Sequence, residues 1–293
     1  MPQQRISRRA MGAAAVGSAV GGVILALPQP AAFGEVSAGA LAQATAVSPQ
    51  GGVSPQPTPG AKREVRFYPV DPQFLAYYNQ VDGPRTLGGA ISPVTTTVDG
   101  MPAQYFEKAR LENRTAANRT GNPAYNFEYG LLVDEMKAVR SLQPVGGDRS
   151  NVTYSTIQDQ SEQSLRVSPP SNANGPQPRP DGSVFVPFSA DLSSAPGHNI
   201  PPYFWEFINR ADLFPGGWLH DIGLPVTPAI PAVVDKGRII GANVQRFTGV
   251  PITVQAFQRT ILTYDPANPA GYLTERANTG TDYMAVFPER VPV

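Results

Sequence analysis

The sequence predicts an α+β protein of two small repeat-related modules, each a short helix packed on a small antiparallel sheet with a β-hairpin. Three observations carry that expectation. The 293 residues include 32 Pro and 28 Gly, with 41% apolar and only 16% charged residues, a composition of short elements and many turns. The stretch Gln104-Tyr105-Phe106-Glu107-Lys108-Ala109-Arg110-Leu111-Glu112 is written again as Gln255-Ala256-Phe257-Gln258-Arg259-Thr260-Ile261-Leu262-Thr263. Each copy sets two apolar runs around a polar pair, which is a hairpin pattern, although neither has the Asn-Gly or Asp-Gly that two-residue loops favour. Finally, three further blocks repeat in the same order around these hairpins.

Taken from the N-terminus, residues 1–42 read as an export signal. Arg5, Arg8 and Arg9 precede an uncharged run over residues 10–27, and Ala40-Leu41-Ala42 is a small-x-small cleavage pattern. Ser7-Arg8-Arg9-Ala10-Met11 resembles a twin-arginine core. An uncharged run of 18 residues also meets the lower limit for spanning a bilayer, but its glycines and alanines make it weakly hydrophobic. Export with no membrane span after signal removal is therefore expected. Residues 43–65, rich in Pro, Gln and Ser, read as a disordered spacer.

Module 1 is expected over residues 66–142, a linker over 143–184 and module 2 over 185–293. Phe74-Leu75-Ala76-Tyr77-Tyr78-Asn79 matches Phe204-Trp205-Glu206-Phe207-Ile208-Asn209, with large groups at i, i+1, i+3 and i+4, the spacing of one helical face. Asp71-Pro72 and Pro201-Pro202 suit the starts of these helices. Leu87-Gly88-Gly89-Ala90-Ile91-Ser92 matches Ile222-Gly223-Leu224-Pro225-Val226-Thr227, a glycine turn entering an extended piece, and Asn122-Pro123-Ala124 matches Asn268-Pro269-Ala270. Gly88 and Phe106 lie 18 positions apart whereas Gly223 and Phe257 lie 34 apart, so residues near 230–250 are an insertion, expected to add a pair of strands. In the linker, Val152-Thr153-Tyr154-Ser155-Thr156-Ile157 alternates as a strand does, and the proline-rich residues 168–183 read as semi-extended.

Phe67-Tyr68-Pro69, Phe74-Leu75-Ala76-Tyr77-Tyr78, the first hairpin stretch, Glu128-Tyr129-Gly130-Leu131-Leu132 and Gly197-His198-Asn199-Ile200 together resemble a repeat of exported proteins in Chloroflexi-type bacteria. They are similar, more distantly, to the LGFP repeat of cell-wall-associated proteins. The first copy lacks the Gly-His-Asn lead-in and has Gly89-Ala90 where an aromatic and a proline are usual, and the second lacks the Glu-Tyr-Gly-Leu-Leu tail. The resemblance implies a binding or spacer module associated with the cell wall.

With 23 basic and 23 acidic residues the chain has no formal net charge, so nucleic acid and anionic membrane surfaces are not expected partners. The absence of Cys excludes disulfides, thiolate metal sites and cysteine nucleophiles. The two histidines, His198 and His220, cannot build an all-His zinc site, and no catalytic, cofactor or metal motif is present. His198 reads as a turn or cap residue. His220-Asp221 reads as structural or exposed, because neighbours on a strand point to opposite faces. A paired-carboxylate glycosidase needs only two acids, and none of the 23 stands out as a pair.

Aromatic rings remain. A flat exposed ring can stack on a sugar face, whereas rings at helical or strand spacing are core. Tyr77, Trp205 and Tyr105 read as core. Tyr78, Tyr264 and above all Trp218, which follows Pro215-Gly216-Gly217 on an expected loop tip, are the candidate ligand-binding residues. The expected function is a noncatalytic module of the cell envelope or extracellular space that binds cell-wall or surface polysaccharide. The alternatives are a structural spacer or assembly protein with no small ligand, and a glycan hydrolase.

Overall fold

A computed structural model describes residues 65–170, 174–240 and 243–292; the expected signal and nearly all of the spacer lie outside the described residues. The fold is α+β, with short helices and three small antiparallel sheets. In the first half, α1 (Pro72–Gln80) starts where the Asp71 carboxylate accepts the Gln73 N–H, with Pro72 in the first turn. It buries Phe74 and Tyr77. Then come α2 (Gly83–Thr86), β1 (Thr95–Thr96), β2 (Pro102–Phe106), β3 (Ala109–Asn113), β4 (Phe127–Tyr129) and α3 (Leu132–Ala138), with sheet order β1-β2-β3-β4.

The stretch expected as a linker is built into the structure. It supplies β5 (Arg149–Ser150), α4 (Tyr154–Gln160) and β6 (Gln177–Pro178). The strand expected over residues 152–157 is instead the start of α4. Thr153 and Thr156 cap each other reciprocally there, and the buried pair Tyr154 and Ile157 is spaced i, i+3 on one helical face.

The second half contributes β7 (Val184–Pro187), β8 (Gly197–Ile200), α5 (Pro202–Ile208), α6 (Trp218–Asp221), β9 (Ile230–Ile240), β10 (Asn243–Ala256), β11 (Ile261–Tyr264), β12 (Thr274–Arg276) and α7 (Thr279–Val286). One sheet runs β6-β7-β8 and the other β12-β11-β10-β9-β5. The insertion lengthens β9 and β10 into one two-stranded ribbon. Among the described residues each half carries three α-helices, the expected aromatic-faced one and two more.

The two halves share hydrogen bonds at equivalent positions around the hairpins. Tyr105 N–H donates to Ser92 Oγ (3.0 Å) as Ala256 N–H does to Thr227 Oγ1 (3.1 Å). Gln104 Nε2 reaches the Pro69 and Ser92 carbonyls, and Gln255 Nε2 the Asn199 and Thr227 carbonyls. Both hairpins have two-residue loops, Glu107-Lys108 and Gln258-Arg259. Neither loop uses the left-handed backbone that primed turns require; the non-glycine residues that do so, among those described, are Asp82, Arg140 and Leu192. A second set of bonds holds them in place of turn chemistry. The N–H groups of Glu107 and Lys108 donate to the carbonyls of Gly89 and Leu87, and those of Gln258 and Arg259 to the carbonyls of Leu224 and Ile222. The side chains answer: Gly89 N–H donates to Glu107 Oε2 (2.8 Å) and Leu224 N–H to Gln258 Oε1 (2.9 Å). Gly88 and Gly223 make the preceding turns with φ of 75° and 84°.

The halves also cross. In the largest buried cluster, Ile91, Tyr105 and Leu132 join Val254, Ile261 and Tyr283, with Val145, Val152, Tyr154 and Ile157 from the segment between. Helix α7 packs on β2 and β3, α6 on β4, and α2 on β12. Tyr125 lies 4.6 Å from the His220 ring, and its counterpart Tyr272 lies 5.2 Å from the guanidinium of Arg85, the counterpart of His220. All described residues accordingly fall in one compact unit.

The approach is closest at Gly280, where an added Cβ would sit 1.9 Å from the Phe106 carbonyl oxygen. Gly280→Ala is expected to destabilise the protein by about 1–3 kcal/mol, while Gly271→Ala, which meets nothing within 4 Å, leaves stability nearly unchanged. Calorimetry should show one unfolding transition in both variants; two resolved transitions would mean that the halves do not share a core.

Candidate functional site

A cleft opens where the ribbon, the segment between the halves and the β12–α7 connection meet. Its outer part, about 970 Å³, is lined by Leu142 and Pro144, by Arg149 and Ser150 of β5, and by Asp235, Arg246, Phe247 and Thr248 of the ribbon. Its inner part, about 210 Å³, is lined by Lys108, Glu275, Arg276, Asn278 and Asp282. Pro144, Asp148 and Lys236 line both, so the two parts adjoin. The floor is Gly146-Gly147; a Cβ at Gly147 would come within 2.5 Å of the Asp235 carbonyl oxygen.

A β-bulge shapes the outer wall. Pairing shifts between Phe247 and Val250, which leaves Thr248 and Gly249 facing Asp235. Gly249 takes φ of 66°, and its N–H donates to Asp235 Oδ1 (3.0 Å). Such a bulge turns the strand and re-aims its side chains. Here half-buried Phe247 packs on the core rim, with the Arg238 guanidinium 5.1 Å from its ring centroid.

The cations along the ribbon are fixed by carboxylates. Asp265 is buried and accepts from Lys236 Nζ (3.0 Å) and from Arg238 Nη2 (2.9 Å) and Nε (3.0 Å), while Arg246 pairs with Asp148. Burial pushes the Asp265 carboxyl up, but hydrogen bonds from Lys236, the Ala267 N–H and Arg238 outweigh it and hold it below the usual range.

The inner wall differs. Lys108 Nζ donates to the Arg85 carbonyl (2.8 Å), and burial holds the ammonium below its ordinary pKa. Arg276 donates through Nε to Thr260 Oγ1 and through Nη1 to the Thr86 carbonyl, both at 3.1 Å, with its guanidinium 4.4 Å from the Tyr129 ring centroid. Among the described residues neither cation has a carboxylate within ion-pair distance. Asp282 accepts from Tyr154 Oη (2.9 Å) and Gln143 Nε2 (3.3 Å), and Glu275 from Asn268 Nδ2 (3.3 Å). A groove of about 680 Å³ beside β1 carries as many charges as the inner part, but its arginines are closed on its carboxylates, Arg110 and Arg114 on Glu112 and Arg290 on Glu135. Unlike that groove, the cleft keeps charged groups that no opposite charge among the described residues closes, Lys108 and Arg276.

The three aromatic candidates lie elsewhere, each packed within the protein. Trp218 is not on a loop tip: it opens α6, half-buried, 5.6 Å from Trp205. Tyr264 stacks on Tyr203 at 3.9 Å. Tyr78 stacks on Phe106 at 5.6 Å and donates to the Gly88 carbonyl (3.1 Å). The His198 expectation changes too, as does the strand geometry expected at His220. His198 is no turn residue: it lies within β8, buried, and burial together with Arg166 lowers its pKa to about 4. His220 and Asp221 do bond, Nδ1 to Oδ1 at 2.6 Å, because they sit in a helical turn in which Asp221 also accepts the Gly216 N–H (2.9 Å).

No protein-family model matches the chain, and neither a curated protein nor a solved structure is significantly similar to it. Sequence reasoning missed Lys108, Lys236, Phe247, Glu275 and Arg276. The signals were the Gly146-Gly147 pair and the repeated basic residue in each hairpin turn.

The lowered pKa of Asp265 makes the ribbon acid-sensitive. Its contribution is complete above the unfolded pKa of about 3.9 and is lost as pH falls through the lower folded value. Asp265→Asn is expected to cost about 1.5–3 kcal/mol at neutral pH and to flatten the fall in melting temperature below about pH 4. Thermal melts of both proteins from neutral pH into acid check this; parallel curves would refute it.

Proposed function

We propose that the protein is an exported, noncatalytic module of the cell envelope that holds cell-wall or surface polysaccharide in the cleft between the ribbon and the inner cavity. The observation that carries this reading is the cleft itself: an extended concavity with a half-buried aromatic ring at its outer end and unclosed charged hydrogen-bonding groups at its inner end. Extended polymers need a groove open along its length, and sugar hydroxyls need both donors and acceptors. The twin-arginine-like N-terminus and the resemblance to exported and cell-wall-associated repeats support the location.

A second reading, a structural or assembly role at the surface, draws on the ribbon's outer end. Beyond the bulge its strands pair only with each other among the described residues, and Ile240 and Val244 are 48% and 71% exposed. Single exposed apolar residues are common on monomers, so this feature weighs less than the cleft.

Pull-down of the mature protein on isolated cell walls and a polysaccharide panel tests the proposal. Phe247→Ala is expected to weaken retention of the folded fraction about tenfold, equivalent to ~1.4 kcal/mol, beyond the modest fall in melting temperature that its loss from the core rim brings. Trp218→Ala, which removes packing against Trp205, should lower the melting temperature and leave the affinity of the folded fraction intact. Retention unaffected by Phe247→Ala would exclude the cleft, and no retention on any wall or polysaccharide would exclude the function.

A further inference from the structure

The two hairpin turns each send a basic side chain towards the β4 or β12 strand of the opposite half. Arg259 closes there on Glu128 and on the Tyr129 carbonyl. Lys108 is its counterpart, and Glu275 is the counterpart of Glu128, but this second pair does not close. Lys108 turns to the Arg85 carbonyl and Glu275 is held through one oxygen by Asn268, while both line the inner cavity. A lysine ends in a compact ammonium rather than a planar fork, so the arginine-for-lysine difference between the turns is not neutral. The cavity thus lies where one half lacks a contact that the other half makes.

Arg276 lines the same cavity. It is 2% exposed, and its Nη2, itself shielded from solvent, makes no well-aligned hydrogen bond among the described residues although the guanidinium interacts with Tyr129. Buried polar atoms without partners are costly, and a bound ligand is one way to satisfy them. We propose that the inner cavity is a subsite for one neutral, hydroxyl-rich ring of a polysaccharide, whose adjacent hydroxyls accept from Lys108 and Arg276 and donate to Glu275. The inference rests on the polysaccharide reading above and adds the ligand class and the residues that select it.

Charge balance decides the class. Lys108, Lys236 and Arg276 line the cavity together with Asp148, Glu275 and Asp282, Lys236 paired with Asp265 and Asp148 with Arg246. A bare anion would meet the carboxylates and a bare cation the ammonium and guanidinium groups, whereas a hydroxyl both donates and accepts and so suits both kinds of neighbour. At about 210 Å³ the cavity is smaller than the ~300–1,000 Å³ of sites for drug-sized ligands, in keeping with a single ring.

Titration calorimetry of the full chain with neutral glucan and mannan oligosaccharides and with an oligogalacturonate, for wild type, Lys108→Met and Glu275→Gln, tests the subsite. A neutral oligosaccharide should bind with an affinity that changes less than about twofold between ~50 and ~500 mM salt. Each variant should weaken it by about tenfold or more. Glu275→Gln keeps the side-chain shape, and a thermal melt of each variant separates lost binding from lost folding. Wild-type affinity in both folded variants would overturn the subsite and leave the polysaccharide reading standing. Preference for oligogalacturonate with steep salt dependence would overturn the neutral class. No binding of any saccharide by wild type would overturn both.

Discussion

A guanidinium buried between two halves of one chain is the constraint on which this structure turns. Arg276 comes from the second half, yet its Nη1 partner is the Thr86 carbonyl and its ring partner is Tyr129, both in the first. A charge removed from water destabilises unless hydrogen bonds and polarisable neighbours surround it. Those neighbours are in place only when β12 lies against α2. The same packing brings Gly280 onto the Phe106 carbonyl and the N-terminal turn of α7 onto the first hairpin. Each half therefore completes the other, in a reciprocal arrangement like that of an isologous dimer.

The proposed site lies where reciprocity breaks. Arg259 and Glu128 close a contact between the halves, whereas Lys108 and Glu275 leave theirs open beside Arg276. The insertion then adds a long ribbon only to the second half, and its bulge at Thr248-Gly249 brings Phe247 and Arg246 to the rim of the same opening. In this account the repeat supplies the rigid frame and its departures from symmetry supply the cleft.

The frame was legible in the sequence because its signals are local. Phe74 with Tyr77, and Phe204 with Phe207, announce helical faces by spacing alone, and the repeated Gln104 and Gln255 mark equivalent strands. The segment between the modules was not legible as structure. Pro and Gly give it a linker's composition, and Val145, Val152, Tyr154 and Ile157 become core only by packing against both halves. His220-Asp221 misled for a related reason: a helical turn lets adjacent side chains converge where a strand would separate them. Trp218 follows a Pro-Gly-Gly run that looks like a loop tip, yet its ring has Trp205 to pack on, a contact set by tertiary structure. The cleft was hidden altogether, because Lys108, Phe247 and Arg276 are far apart in the chain and only the crossing of the halves brings them together.

Cooperation between the halves is the central claim, and native-state hydrogen exchange tests it most directly. The Tyr105 and Ala256 amides are equivalent probes, one in each half, bonded to Ser92 Oγ and Thr227 Oγ1 at 3.0 and 3.1 Å. If the halves form one cooperative body, both amides exchange only through global opening, with a common free energy that falls equally as denaturant is added. If the first half opens on its own, Tyr105 will exchange at a distinctly lower free energy than Ala256, and the account of a shared core is contradicted.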